Sequence, residues 1–140
     1  MPFEYFIKTG EVKKASVDLE LAKSLIKDMD ERIQKSMKLD VNEFSKMIFE
    51  NIYDALRDFC DALLSLEGYK SYSHQASISF LTNYKLDVAD INELDQFRYK
   101  RNGSKYYGKP VFEEDALEIK KFFLRIKPKI NKILEEKKLK

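Results

Sequence analysis

Residues 44–68, FSKMIFENIYDALRDFCDALLSLEG, decide the fold. Phe44, Met47, Ile48, Ile52, Ala55, Leu56, Phe59, Leu63 and Leu66 recur mostly at steps of three and four, the period of one buried helix face. Asp40 or Asn42 is placed to cap this helix and Gly68 to stop it. Upstream, Val12, Ala15, Leu19, Ala22, Ile26, Met29 and Ile33 repeat the pattern and predict a helix over about 11–36. Downstream, Ser73 is a cap for a shorter helix carrying Ala76, Phe80, Leu81 and Tyr84, and Asp87 for another carrying Val88, Ile91, Leu94 and Phe97. Pro110 marks the approach to a last helix with Phe112, Ala116, Ile119, Phe123, Ile126, Ile130 and Ile133, in which Pro128 predicts a kink or an early end. No segment has a period of two. The expected fold is therefore all-α, an antiparallel up-and-down bundle of four to five helices in a single domain over 1–140, its tail fraying from about 135 to 140.

Composition limits the chemistry. The 140 residues suffice for one core, and 26 basic against 24 acidic side chains give a net charge of +2, so the chain as a whole is no polycation. The single cysteine, Cys60, falls mid-helix among Phe59, Leu63 and Leu64 and reads as a buried structural thiol. It has no disulfide partner and no metal-binding spacing, which points to a reducing, cytoplasmic location. No apolar run approaches the roughly 20 residues of a membrane span, and Met1-Pro2-Phe3-Glu4 lacks the start of a signal peptide. Neither membrane, metal nor cofactor is expected. One histidine, with Ser71 three residues before it, cannot supply the paired Glu-x-x-His motifs of a di-iron bundle, and the isolated Gly10, Gly68, Gly103 and Gly108 form no phosphate loop.

One stretch combines an unbalanced charge with aromatic side chains and a glycine at each of two positions. Arg98-Tyr99-Lys100-Arg101-Asn102-Gly103-Ser104-Lys105-Tyr106-Tyr107-Gly108-Lys109 holds five cations, three tyrosines and no acid. Arginine and lysine meet phosphate oxygens and tyrosine rings stack on bases, so Arg98, Lys100, Arg101, Asn102, Lys105, Tyr106 and Tyr107 are candidates for RNA or nucleotide binding. Composition by itself favours a solvated interhelical loop. Tyr53, Tyr69, Tyr72 and Tyr84 lie off the apolar stripes and read either as core tyrosines or as an interface.

The order of these features resembles the HEPN superfamily of small helical domains. The resemblance rests on Ala15-x-x-x-Leu19-x-x-Ala22, on Ile52-Tyr53-Asp54-Ala55-Leu56 through Ala62-Leu63-Leu64, on Gly68-Tyr69 followed by Ser73-His74-Gln75-Ala76, and on Arg101-Asn102. It implies RNA or nucleotide binding, a homodimer, and pairing with a minimal nucleotidyltransferase in a toxin-antitoxin-type system. In catalytic members the arginine is followed after four to six residues by a histidine; here Tyr106 stands after four. A tyrosine, with its ordinary pKa near 10, is a poor base at neutral pH. The resemblance thus implies a binding domain with weak or no ribonuclease activity. Two other readings stay open: a metal-independent ribonuclease toxin using Arg101 with Tyr106 or His74, and an interaction module without nucleic-acid chemistry. The family's modified tyrosine would fall at Gly108, which leaves Tyr106 and Tyr107 as displaced acceptors. Asp54 and Asp58, one turn apart, point either to the basic segment or to solvent.

Overall fold

The computed structural model describes residues 2–140, which form six α-helices, one 3₁₀ turn and a two-stranded antiparallel ribbon. The decisive stretch is helix α3, Ser45–Glu67, and it is the hub on which helices α2, α4, α5 and α6 all pack. Ile48, Phe49, Ile52, Tyr53, Ala55, Leu56, Phe59, Cys60, Leu63 and Leu64 are buried along it. Burial on more than one face follows from its central place. Gly68 ends the helix in the left-handed region, at φ 81°, as its position predicts.

The first helix is shorter than its apolar spacing suggests. Helix α2 spans Leu19–Ser36, and the Asp18 carboxylate caps it by accepting from the Leu21 N–H at 2.9 Å. Val12–Lys14 is instead strand β1, paired with strand β2, Tyr69–Ser71, in the register Val12 to Ser71, Lys13 to Lys70 and Lys14 to Tyr69. Val12 reaches the core either way, and a single apolar residue carries no period. Before it, Phe3–Lys8 forms helix α1, unforeseen in the sequence, with Phe3 and Phe6 buried.

Ser73 caps helix α4, His74–Ser79, accepting from the Ala76 N–H at 3.3 Å, and the chain continues as a 3₁₀ turn over Phe80–Asn83. Helix α5, Val88–Tyr107, runs through the entire basic-aromatic segment and closes at Gly108, φ 64°. The expected loop is thus a helix. Its interior Gly103 is buried, and the Lys109 N–H bonds the Gly103 carbonyl at 3.1 Å, folding the chain back over it. Helix α6, Glu113–Glu136, passes through Pro128 without ending. Phe97 of α5 packs edge-on to Phe49 of α3 and Phe122 of α6, with centroids 6.1 and 5.3 Å away. Beyond α6, Leu139 is buried and the Lys140 ammonium lies 2.8 Å from Asp30 of α2. Among the described residues no helix is long and apolar enough to cross a membrane.

Candidate functional site

Helix α5 begins as an ordinary core helix and then changes character. Asp90, Leu94 and Phe97 are buried, and the same stripe continues into Arg101 and Ser104. The spacing that would place apolar side chains in the core here places a guanidinium and a hydroxyl. Arg101 is only 12% exposed at its side chain and faces Glu50 and Asp54 of α3, with Nη2 at 3.9 and 3.7 Å from their carboxylates. Those contacts are ion pairs without hydrogen-bond geometry. Arg101 Nε, Asp54 Oδ1, Tyr53 Oη and Ser104 Oγ are all buried without a hydrogen-bond partner. An unpaired buried polar atom costs about 1–3 kcal/mol, so four near one seam mark a place not shaped for stability.

The helical form of the basic segment divides it. At about 100° per residue, Arg98, Arg101 and Lys105 fall within about 60° around the axis, while Tyr99 and Tyr106 lie about 140–160° from Arg101. Lys100 and Tyr107 turn to the other flank. Accordingly, Lys100 ion-pairs with Asp115 of α6, whose other carboxylate oxygen accepts from the Phe112 N–H at 2.8 Å. Arg98 is held by Asp95 at 2.6 Å. Asn102 is half-buried, whereas Tyr99, Tyr106 and Tyr107 are 71%, 65% and 78% exposed. The Lys105 ammonium stands over the Tyr106 ring, 5.4 Å from its centroid.

His74, on another helix, joins this seam. Its imidazole is held neutral, its pKa lowered to about 4 by partial burial and then by the positive charges of Arg57, Arg101, Lys105 and Arg98. The Tyr53 ring lies 6.4 Å from the imidazole, and burial pushes the Tyr53 phenol far up. Asp61 of α3 accepts from Ser77 at 3.4 Å, and burial also raises its carboxyl. Thus Glu50 and Asp54 of α3 face Arg101 of α5, Asp61 of α3 meets Ser77 of α4, and the charges of Arg57, Arg98, Arg101 and Lys105 all act on His74.

The seam gathers Arg98, Arg101, Lys105 and His74 from the sequence-derived candidates. It leaves out Lys100, which is tied to α6, and turns Tyr106 and Tyr107 toward solvent. Tyr53 and Arg57 were not singled out as site residues. Their signal was present in the α3 pattern, where Glu50, Asp54, Arg57 and Asp61 recur at steps of four and three beside the apolar stripe. Asp58, one turn from Asp54, turns instead to Arg32 of α2, whose Nε donates to it at 3.0 Å. Among the described residues no group of His, Cys, Asp and Glu is arranged to hold a metal ion. What the seam offers is arginine donors and one neutral imidazole. Comparisons with family models, curated proteins and solved structures find no match to this chain.

Proposed function

We propose that this chain is a HEPN-like antiparallel helical bundle that binds RNA or a nucleotide through the α3–α4–α5 seam, with weak or no ribonuclease activity of its own. The observation that supports it best is Arg101, a guanidinium largely withdrawn from solvent whose Nε has no partner and whose carboxylate contacts are loose. A buried cation without full pairing is costly, and a phosphate oxygen would complete it with a charge-assisted hydrogen bond. The charges of Arg57, Arg98 and Lys105 act on neighbouring His74 and add attraction for an anion. Anisotropy titration of labelled single-stranded RNA and of AMP at low salt tests the reading. Arg101→Gln should weaken binding about tenfold or more, and Lys105→Glu should weaken it and flatten its salt dependence. Absence of binding by the wild-type chain to either ligand would sink it.

The neutral His74 supports a second reading, cleavage of RNA by His74 with Arg101. A neutral imidazole can accept the proton of a ribose 2′-hydroxyl, although one depressed to about 4 is a weak base and is not charged to act as acid at pH 7. Tyr106, exposed and turned away from Arg101, is poorly placed for either role. Incubation with total RNA in EDTA, comparing wild type with His74→Gln and Arg101→Gln, separates this reading from binding alone. The homodimer and the minimal nucleotidyltransferase of a toxin-antitoxin-type pair are further proposals carried by the family resemblance; exposed Tyr106 and Tyr107 are accessible to such a modifying enzyme.

A further inference from the structure

The β1–β2 ribbon contains a pairing that local energetics oppose. Lys13 and Lys70 are direct partners in the ladder, where like charges repel. Both ammoniums gather at one ring, standing 5.8 and 5.6 Å from the centroid of Tyr72, which is 63% exposed. Among the described residues, neither lysine has a carboxylate within ion-pair distance, nor does Lys14 at the end of the strand. The adjacent acid, Glu11, has its carboxylate bonded by the Thr9 hydroxyl at 2.9 Å, and its carbonyl accepts from the Tyr72 N–H at 2.8 Å. The opposite face of the ribbon does the structural work: Val12 is buried and Tyr69 packs on Phe3 and Phe80. The contacts of the two ammoniums with the Tyr72 ring offset part of the repulsion, but leave both charges without an anion.

Their position relative to the seam points to one. Only Ser73, the cap of α4, separates Tyr72 from His74, so the two backbones are within about 7 Å of each other. We infer that the outer face of the ribbon is a second contact site for single-stranded nucleic acid, in which Lys13 and Lys70 hold a backbone phosphate and Tyr72 stacks on a base. A phosphate cancels the repulsion between the two ammoniums, and an unstacked base finds an exposed tyrosine face beside it. This rests on the reading of the seam as an RNA or nucleotide site and narrows it, since a ligand spanning ribbon and seam is a polynucleotide and not a free nucleotide. Duplexes do not fit, because their bases are already stacked.

The experiment titrates a labelled single-stranded RNA 12-mer, the same sequence as a duplex, and AMP against the full chain at several salt concentrations. Lys13→Ala with Lys70→Ala should lower the salt slope for the single strand by about 0.7, the share of the one phosphate they hold. Tyr72→Ala should weaken the 12-mer about tenfold. AMP binding should be unchanged in both variants. Because the lysine variant relieves a repulsive pair on an exposed face, it keeps the fold, and Lys13→Arg with Lys70→Arg should retain binding. If Arg101→Gln abolishes 12-mer binding while the ribbon variants match wild type in affinity and salt slope, the ribbon inference is wrong and the seam reading stands. If the wild-type chain binds no RNA, both fall.

Discussion

Arg101 Nη2 stands 3.7 Å from Asp54 Oδ1, across the seam between α5 and α3, near enough for the charges to attract and too far to share a hydrogen bond. Asp54 also lies 3.8 Å from Arg32, so one carboxylate balances cations on two sides. Such a contact holds a guanidinium in place without saturating it. Asp54 should therefore compete with a bound anion. Asp54→Asn is expected to tighten RNA binding about threefold, from a screened charge interaction of roughly 0.7 kcal/mol, while Arg101→Gln weakens it. Paired anisotropy titrations check the opposite signs; weakening in both variants would show that Asp54 serves to position Arg101.

The pH dependence of stability should contain two opposed contributions. His74 is depressed to about 4 in the folded chain, so below its ordinary 6.5 the unfolded state takes the proton first and stability falls as pH drops from 6.5 toward 4. Asp58 is raised to about 6, by burial and by Asp28 and Asp61, against the lowering effect of Arg32. Between its ordinary 3.8 and about 6 the folded state holds the proton, and stability there falls as pH rises. Relative to wild type, His74→Gln should gain stability as pH is lowered through this window, and Asp58→Asn should gain as pH is raised. Urea melts at about pH 4.5, about 5.5 and about 6.5 resolve the crossing.

Asp90, 3% exposed at the start of α5, accepts from Arg125 at 2.6 Å and Lys129 at 2.9 Å of α6. Burial pushes its carboxyl up, but the hydrogen bonds from Lys129 and Arg125 outweigh this and hold it below the usual range. Asp90→Ala is expected to cost about 1–3 kcal/mol at pH 7, by thermal melting. The loss should shrink as pH falls below the ordinary carboxylate range, because the contribution of a depressed carboxyl is present above that value and disappears on acidification.

Gly68 occupies a left-handed turn, φ 81°, and a Cβ there would stand 3.0 Å from the Ala15 carbonyl oxygen and 3.4 Å from a Val17 methyl. Gly68→Ala should cost more than the roughly 1 kcal/mol of the backbone conformation alone. The effect should concentrate on the ribbon, because the Gly68 carbonyl accepts from the Ala15 N–H at 2.9 Å. Hydrogen exchange should show faster exchange at Ala15 and across β1 and β2 than in α3.

The helical class and the central helix were readable from periodicity because a long stripe such as Ile48 to Leu66 has no alternative burial in any other regular structure. Ser73 and Gly68 were readable from local backbone chemistry for the same reason. Val12 and Ala15 misled because two apolar residues in phase with a helix are equally compatible with a strand, and only pairing with Tyr69–Ser71 decides between them. The segment from Arg98 to Tyr107 misled through its glycine and polarity. Gly103 is tolerated inside α5, where it is covered by Lys109, and the helix is stabilised by packing at Leu94 and Phe97, upstream of the polar part.

By itself the sequence determined that long amphipathic helices form, where several of them are capped, and that Arg101 lies in an acid-free cationic run rich in tyrosine. Those properties depend on neighbours three or four residues away, and the chain carries them locally. Tertiary structure alone decided that Arg101 is withdrawn from solvent against Asp54, that Lys100 is diverted to Asp115, and that His74 is surrounded by cations from two other helices. Burial and charge act through space between residues far apart in the chain, so no local pattern could have placed them.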